Sequence, residues 1–235
     1  MPRKHLIASQ NNKKQQDNAK IWMKLAKEIR AAAKTGGPNI DANPRLKAAV
    51  EKALQNNLSK ESIERNIKGA QKDTSNLETQ IYEVYGPNGL SVIISALTDN
   101  PGRTRASINA ALSKLRGQIA KSNSVLMNFS VKGVFLFNSP LSIDEIIETL
   151  IDYPIDDINK DDEDNSIELI CDQQDYYHVK KLLETLKDTK IISSEIRYIP
   201  NSYIDLSKED NERLETFMNM CDQDDDVQWV VTNAS

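Results

Sequence analysis

The sequence predicts an α+β protein: an N-terminal three-helix domain followed by two α/β sandwich domains, one of them ferredoxin-like (βαββαβ) and inserted into the other. Three observations predict it. Residues 20–70 repeat their apolar positions at helical spacing between recognisable caps, and near residue 78 the period changes to that of strands. From Val131 the elements run β, α, β, β, α, β, which leaves one helix and one strand over at the C-terminal end. These two would complete the ββαβ set that precedes Val131, so the expected domains are 1–77, then 78–130 with 201–235, and the insertion 131–200.

The first helix lies in KIWMKLAKEIRAAAK. At about 100° per residue, Trp22, Leu25, Ile29 and Ala33 share one arc and are expected in the core. Lys20, Lys24, Lys27, Arg30 and Lys34 fall nearly opposite, as a cationic rail. Gly36 and Gly37 end the helix, because glycine accepts left-handed backbone, and Pro38 cannot continue it. Asn43 can cap the second helix and Pro44 fits its first position. Leu46, Ala49, Val50 and Ala53 form its inner face, with Arg45, Lys47 and Lys52 outside. Ser59 caps a third helix with Ile63 and Ile67 inward and Arg65 and Lys68 outward.

Gln80 to Tyr85 and Leu90 to Leu97 are strand-like runs joined by Gly86-Pro87-Asn88-Gly89, a hairpin signal. In TDNPGRT, Asp99 or Asn100 can cap a helix whose apolar stripe is Ile108, Ala111, Leu112 and Leu115. Ser124 to Phe129 is expected to be a strand. The inserted module reads as strand VKGVFLF, helix SIDEIIETLID, strand PIDDI, an acidic loop, strand SIELIC, helix QDYYHVKKLLETLK and strand KIISSEIRYIP. Helix 206–220 and strand 227–231 follow.

The net charge of −5 conceals a segregation. Residues 1–72 hold 16 Lys/Arg against 6 Asp/Glu, and the rest hold 14 against 29. A basic head on an acidic body points to nucleic acid, although a helical surface solubilised with lysine has the same composition. The candidate contacts are Lys13 and Lys14 in a basic N-terminal arm, Lys20, Lys24, Lys27, Arg30, Lys34, Arg45, Lys47, Lys52, Arg65 and Lys68 on the helices, and Arg103 and Arg105 in the first turn of the later helix. Cations at a helix amino end oppose the dipole, which is tolerable in solvent and useful if an anion such as phosphate binds there. Replacing Lys24, Lys27, Arg30 and Lys34 with glutamate is expected to abolish binding and leave the fold intact.

No phosphate-binding loop, nucleophile elbow, dinucleotide fingerprint or zinc-binding helix motif is present. His178 has no nameable partner for a base. The turn Asp222 to Asp226 lacks the glycine and glutamate of a calcium loop and is expected to be solvated. Cys171 and Cys221 are expected as buried reduced thiols. No enzyme, metal, cofactor or small-molecule substrate is expected. No apolar run nears the roughly 20 residues that span a bilayer, so no membrane partner is expected, and the N-terminal segment lacks a secretory core.

These residues resemble the YebC/PmpR family, which includes the mitochondrial translational activator of cytochrome oxidase subunit one. The resemblance rests on KLAKEIRAAAKTGGPNIDANPRLKAAVEKALQNNLSKESIERNIK, YEVYGPNGLSVIISALTDNPGRT, SVLMNF with the following Lys132-Gly133, and DDVQWVVTN, in order over nearly the whole length. It implies a helical domain followed by two α/β domains in a cytoplasmic protein without known catalysis. Members are mostly described as probable transcriptional regulators that bind DNA; others look like ribosome-associated translation factors, some relieving stalls at proline-rich sequences. Two departures stand out: PRKHLIASQ replaces the usual GHSKW-type start, and Asn123 replaces a glycine before Ser124, a mild change because asparagine tolerates left-handed backbone.

Three functions then compete: a DNA-binding transcriptional regulator, a translation factor that docks on ribosomal RNA, and an interaction module whose basic head meets an acidic protein. The cationic rail serves all three. The lack of a helix bearing Arg, Asn and Gln aimed at base edges leans toward RNA, and the family's customary description toward DNA.

Overall fold

A computed structural model describes residues 18–72, 76–161 and 165–235. The chain forms two compact units, one from Met1–Asn128 with Ser202–Ser235 and one from Phe129–Asn201. The first opens with α1 (Asn18–Gly36), α2 (Pro44–Gln55) and α3 (Lys60–Ala70). Leu25, Ile29 and Ala33 of α1 meet Leu46, Ala49 and Ala53 of α2 and Ile63 and Ile67 of α3 in one core.

Asn43 fixes how α1 turns into α2. Its Oδ1 accepts from the Leu46 amide at 3.1 Å, which caps α2, while its Nδ2 donates to the carbonyls of Ala32 and Gly37, each at 2.9 Å. One buried amide thus satisfies groups at the end of one helix and the start of the next. Gly37 is left-handed at φ +88°, which lets the chain double back without steric cost. Asn43→Ala is expected to cost about 2 kcal/mol, more than a simple cap. Asn43→Asp should fare no better, because it replaces the donor with an oxygen facing two carbonyls. Thermal unfolding of both variants checks this: an aspartate that behaves like wild type would reduce Asn43 to an ordinary cap.

Four antiparallel strands follow in the order β3-β1-β2-β8. They are β1 (Glu78–Tyr85), β2 (Ser91–Thr98), β3 (Gln118–Ile119) and β8 (Val227–Thr232). Every residue of β2 is buried, as befits a central strand. Helices α4 (Pro101–Leu115) and α7 (Lys208–Gln223) cover one face, with Ile108, Leu112, Leu214 and Phe217 packed on Val92 and Ile94. Asn88 and Gly89 supply the left-handed residues of the β1–β2 turn. Residues 124–128 do not form the expected strand: Leu126–Asn128 is a single helical turn, and the edge strand is the short β3. Asn123, at φ +65°, occupies left-handed backbone, which is why glycine and asparagine both suit that position.

The second unit contains β4 (Phe129–Asn138), α5 (Ile143–Thr149), β5 (Ile155–Lys160), β6 (Ser166–Asp172), α6 (Tyr176–Thr185) and β7 (Lys190–Pro200). Its strand order β5-β6-β4-β7 is that of a ferredoxin-like sheet. Phe135, Phe137, Ile167 and Leu169 face Ile146, Val179 and Leu183 of the helices. At Gly133 an added Cβ would lie 2.9 Å from the Tyr176 ring and 3.0 Å from Cys171 Sγ, so the helix approaches the strand only because that residue has no side chain. Cys171 and Cys221 are free and buried, and burial first, then nearby carboxylates, pushes their thiols up to about 11 and about 12. The residues Asp162 to Asp164 of the acidic loop lie outside the described residues.

Candidate nucleic-acid interface

The cations of α1 share one arc of the helix but not one environment, so they do not form a uniformly solvent-facing rail. Lys24 and Lys27 turn toward the acidic turn that joins α7 to β8. Lys27 Nζ lies 2.5 Å from Asp226 Oδ1 and donates to the Asp225 carbonyl at 3.3 Å. Lys24 is half-buried: burial lowers its pKa, and Asp222, Asp224, Cys221 and Asp225 pull in the opposite direction. Ala31, one turn beyond Lys27, is 3% exposed although it lies outside the three-helix core. Arg30 folds its Nε onto the Ala26 carbonyl at 3.4 Å. Lys34 is exposed, and Lys20 is half-buried near the start of the helix.

The acidic turn is not simply solvated. Asp226 is 5% exposed and gathers donors from three elements. Its Oδ2 accepts from Thr104 Oγ1 at 2.7 Å, Thr98 Oγ1 at 3.0 Å and Arg103 Nη2 at 3.0 Å, while Oδ1 holds Lys27. Burial works against ionisation, but the bonds from Lys27, Thr104 and Arg103 outweigh it and hold the carboxyl near 2. At the amino end of α4 the chain thus supplies a carboxylate of its own beside Arg103. Arg103 also pairs with Asp99 at 2.9 Å, and Asn100 is the cap, accepting from the Arg103 amide at 3.1 Å. Arg105 is exposed. Because Lys27 serves Asp226, charge reversal at all four rail positions would also disturb packing, and the expectation that it leaves the fold intact does not hold.

On the remaining helical surface Arg45, Lys47, Arg65 and Lys68 are exposed and Lys52 is half-buried. Arg45 reaches Thr79 Oγ1 at 3.3 Å, Lys52 approaches Glu28 at 3.9 Å, and Lys68 lies 3.6 Å from Glu64, a solvated pair of little energetic weight. Lys13 and Lys14 lie outside the described residues. Trp22 departs from its expected place in the core. It is 38% exposed, and its Nε1 donates to the Asn56 carbonyl at 2.9 Å, so the ring rests against the end of α2. Met23 and Leu54 are also exposed. Large aromatics seldom bury completely, and an indole N–H needs a partner.

Glu83 is the residue that helical and strand periods alone do not reveal. It is 5% exposed, and its carboxylate accepts the amides of Asn123, Val125 and Leu126 at 2.5, 2.6 and 2.9 Å. Burial would raise its pKa, but the amides of Leu126, Val125, Asn123 and Ser124 prevail and lower it. The SVLMNF segment is thereby shaped into a loop with Met127 in solvent. Glu83 alternates to the face of β1 opposite the core residues Tyr82 and Val84, so the strand period marks it only as a surface charge. His178 stacks on Tyr153 with ring centroids 5.5 Å apart. Among the described residues no group of three or more His, Cys, Asp or Glu could hold a metal, and no helix is long and apolar enough to cross a membrane.

Residues 2–73 match the family model of the TACO1/YebC protein N-terminal domain, and residues 77–234 that of the TACO1/YebC second and third domain. The chain is 56% identical over 234 residues to a probable transcriptional regulatory protein of Ureaplasma parvum, covering 99% of this chain and 98% of that one. A protein of the same description from Mycoplasma pneumoniae is 49% identical over 235 residues and covered in full, as is this chain. One from Burkholderia mallei is 38% identical over 219 residues, covering 92% of this chain and 89% of that one. The crystal structure of a conserved hypothetical protein from Aquifex aeolicus is similar in fold, with a TM-score of 0.79 at 30% identity, covering 94% of this chain and 92% of that one.

Proposed function

The chain belongs to the TACO1/YebC family, and on that premise we propose that it is a non-enzymatic, cytoplasmic regulator of transcription that binds DNA through its helical domain. The observation that carries this reading is the concentration of exposed cations, Lys34, Arg45, Lys47, Arg65 and Lys68, on three short helices of a protein whose remainder is acidic. Such a surface tracks phosphates and carries no base specificity of its own. We take residues 1–77 as the binding domain, with 78–130 plus 201–235 and 131–200 as the bodies it is attached to.

A second reading, a translation factor on ribosomal RNA, draws on Trp22. Trp22, Ala26 and Arg30 follow one another at i, i+4 spacing, so an exposed ring and a cation lie along one row of α1 with only a small residue between them. An unpaired base can stack on such a ring, and a base within a duplex cannot. The test is crosslinking in cells followed by sequencing of the attached nucleic acid. Promoter DNA without ribosomal RNA supports the regulator, and the converse supports the translation factor. In vitro, Arg30→Glu with Lys34→Glu and Lys47→Glu spares the Asp226 contacts. It is expected to weaken binding by tenfold or more, with an unchanged circular dichroism spectrum. Unaltered affinity in that folded variant would place the interface elsewhere.

A further inference from the structure

We propose that the Lys24–Lys27 side of α1 is a second phosphate-contacting surface, closed in this structure by the acidic turn Asp222–Asp226, and that a nucleic-acid backbone opens it by taking the turn's place. The inference rests on the nucleic-acid reading above and adds to it a competition between an internal and an external anion.

Lys24 and Lys27 are neighbours at i, i+3 on α1; Lys27 pairs with Asp226, and Lys24, although burial dominates its environment, lies within the field of Asp222, Asp224 and Asp225. Lys27 contacts both the carboxylate of Asp226 and the carbonyl of Asp225. Another polar contact between the three helices and the α/β part of this unit is the exposed pair of Arg45 and Thr79. Contacts of this kind are ones that a polyphosphate can replace charge for charge.

The hub is built so that Lys27 can leave. Asp226 Oδ2 retains Thr98, Thr104 and Arg103, all of which belong to β2, α4 and the turn between them, so the carboxylate stays hydrogen-bonded when Oδ1 loses its lysine. Lys27 on departure needs a new anion, and a phosphate supplies one. Closed, the acidic turn excludes weak anions; against a polymer presenting many phosphates, the exposed cations engage first and raise the local phosphate concentration beside Lys24 and Lys27.

The experiment neutralises the turn without touching the hub. Asp222→Asn, Asp224→Asn and Asp225→Asn are combined, and asparagine at 224 keeps the oxygen that accepts the Asp226 amide. A control of equal charge change combines Asp144→Asn, Glu148→Gln and Asp152→Asn in the inserted unit. Binding of a short fluorescein-labelled single-stranded RNA and of a short duplex DNA is titrated against salt. The turn variant is expected to bind at least about fivefold more tightly than the wild type and the control, with a salt slope steeper by roughly one to two phosphates. Adding Lys24→Gln and Lys27→Gln should return it to the wild-type level. Affinity equal to that of the wild type or the control, or a gain that survives loss of both lysines, overturns the proposal. If Arg30→Glu with Lys34→Glu and Lys47→Glu abolishes binding while the turn variant gains nothing, this inference fails and the nucleic-acid reading stands. If the wild type binds neither polymer, both fall.

Discussion

Asp226→Ala is expected to destabilise the first unit by about 3–5 kcal/mol, the range for removing one member of a buried, hydrogen-bonded charge cluster. The loss leaves Lys27, Thr98 and Thr104 without the oxygen that joins them. Asp226→Asn separates charge from shape, because it retains an acceptor but no negative charge. The pH dependence follows from the depressed carboxyl. Its folded value is about 2 against an ordinary 3.8, so its stabilisation is complete above pH 4 and is lost as the pH falls toward 2. At neutral pH the wild type should exceed the asparagine variant by about 2 kcal/mol, and near pH 2 the two should converge. Urea unfolding at several pH values measures this. Equal stability at pH 7 would mean that the cluster is held by geometry alone.

Glu83→Ala is expected to cost about 3 kcal/mol or more, because the buried and half-buried amides of Asn123, Val125 and Leu126 lose their acceptor at once. Glutamine should restore little, since only one of its two terminal atoms accepts. With unfolded glutamate near its ordinary value and the folded value lowered, this contribution too is present at neutral pH and declines in acid. Hydrogen exchange at the Val125 and Leu126 amides provides a local readout. Both should exchange far faster in the alanine variant than the amides of β2, and protection equal to wild type would show that the loop holds itself.

The parts of this protein legible in its sequence are those decided by neighbours. Pro44, Gly37, Ser59 and the capping bond of Asn43 act within a few residues of themselves, and the alternation of β4, β6 and β7 needs only a face to point toward. What escaped depends on distant partners. Ser124 to Phe129 looks like a strand until Glu83, about forty residues earlier, claims its amides. Asp226 looks solvated until residues 98, 103, 104 and 27 converge on it, the last of these 199 positions away. Trp22 lies at the correct angle for the core, but its indole N–H finds its acceptor at the end of α2 and leaves part of the ring in solvent. The cationic rail was legible in the sequence; its partial covering by the acidic turn was not, because a helical wheel does not show which distant segment approaches.

The position of β8 has a consequence in time. It is the last strand of the chain, yet it lies beside β2, pairing Val92 with Thr232 and Ile94 with Val230. The three helices and the inserted sheet all precede β8, so during synthesis they can fold while β2 still has an open edge. Asp226 immediately precedes that strand, so the contact with Lys27 also forms last. Until β8 has paired with β2, Lys27 therefore lacks the carboxylate that holds it in the folded unit.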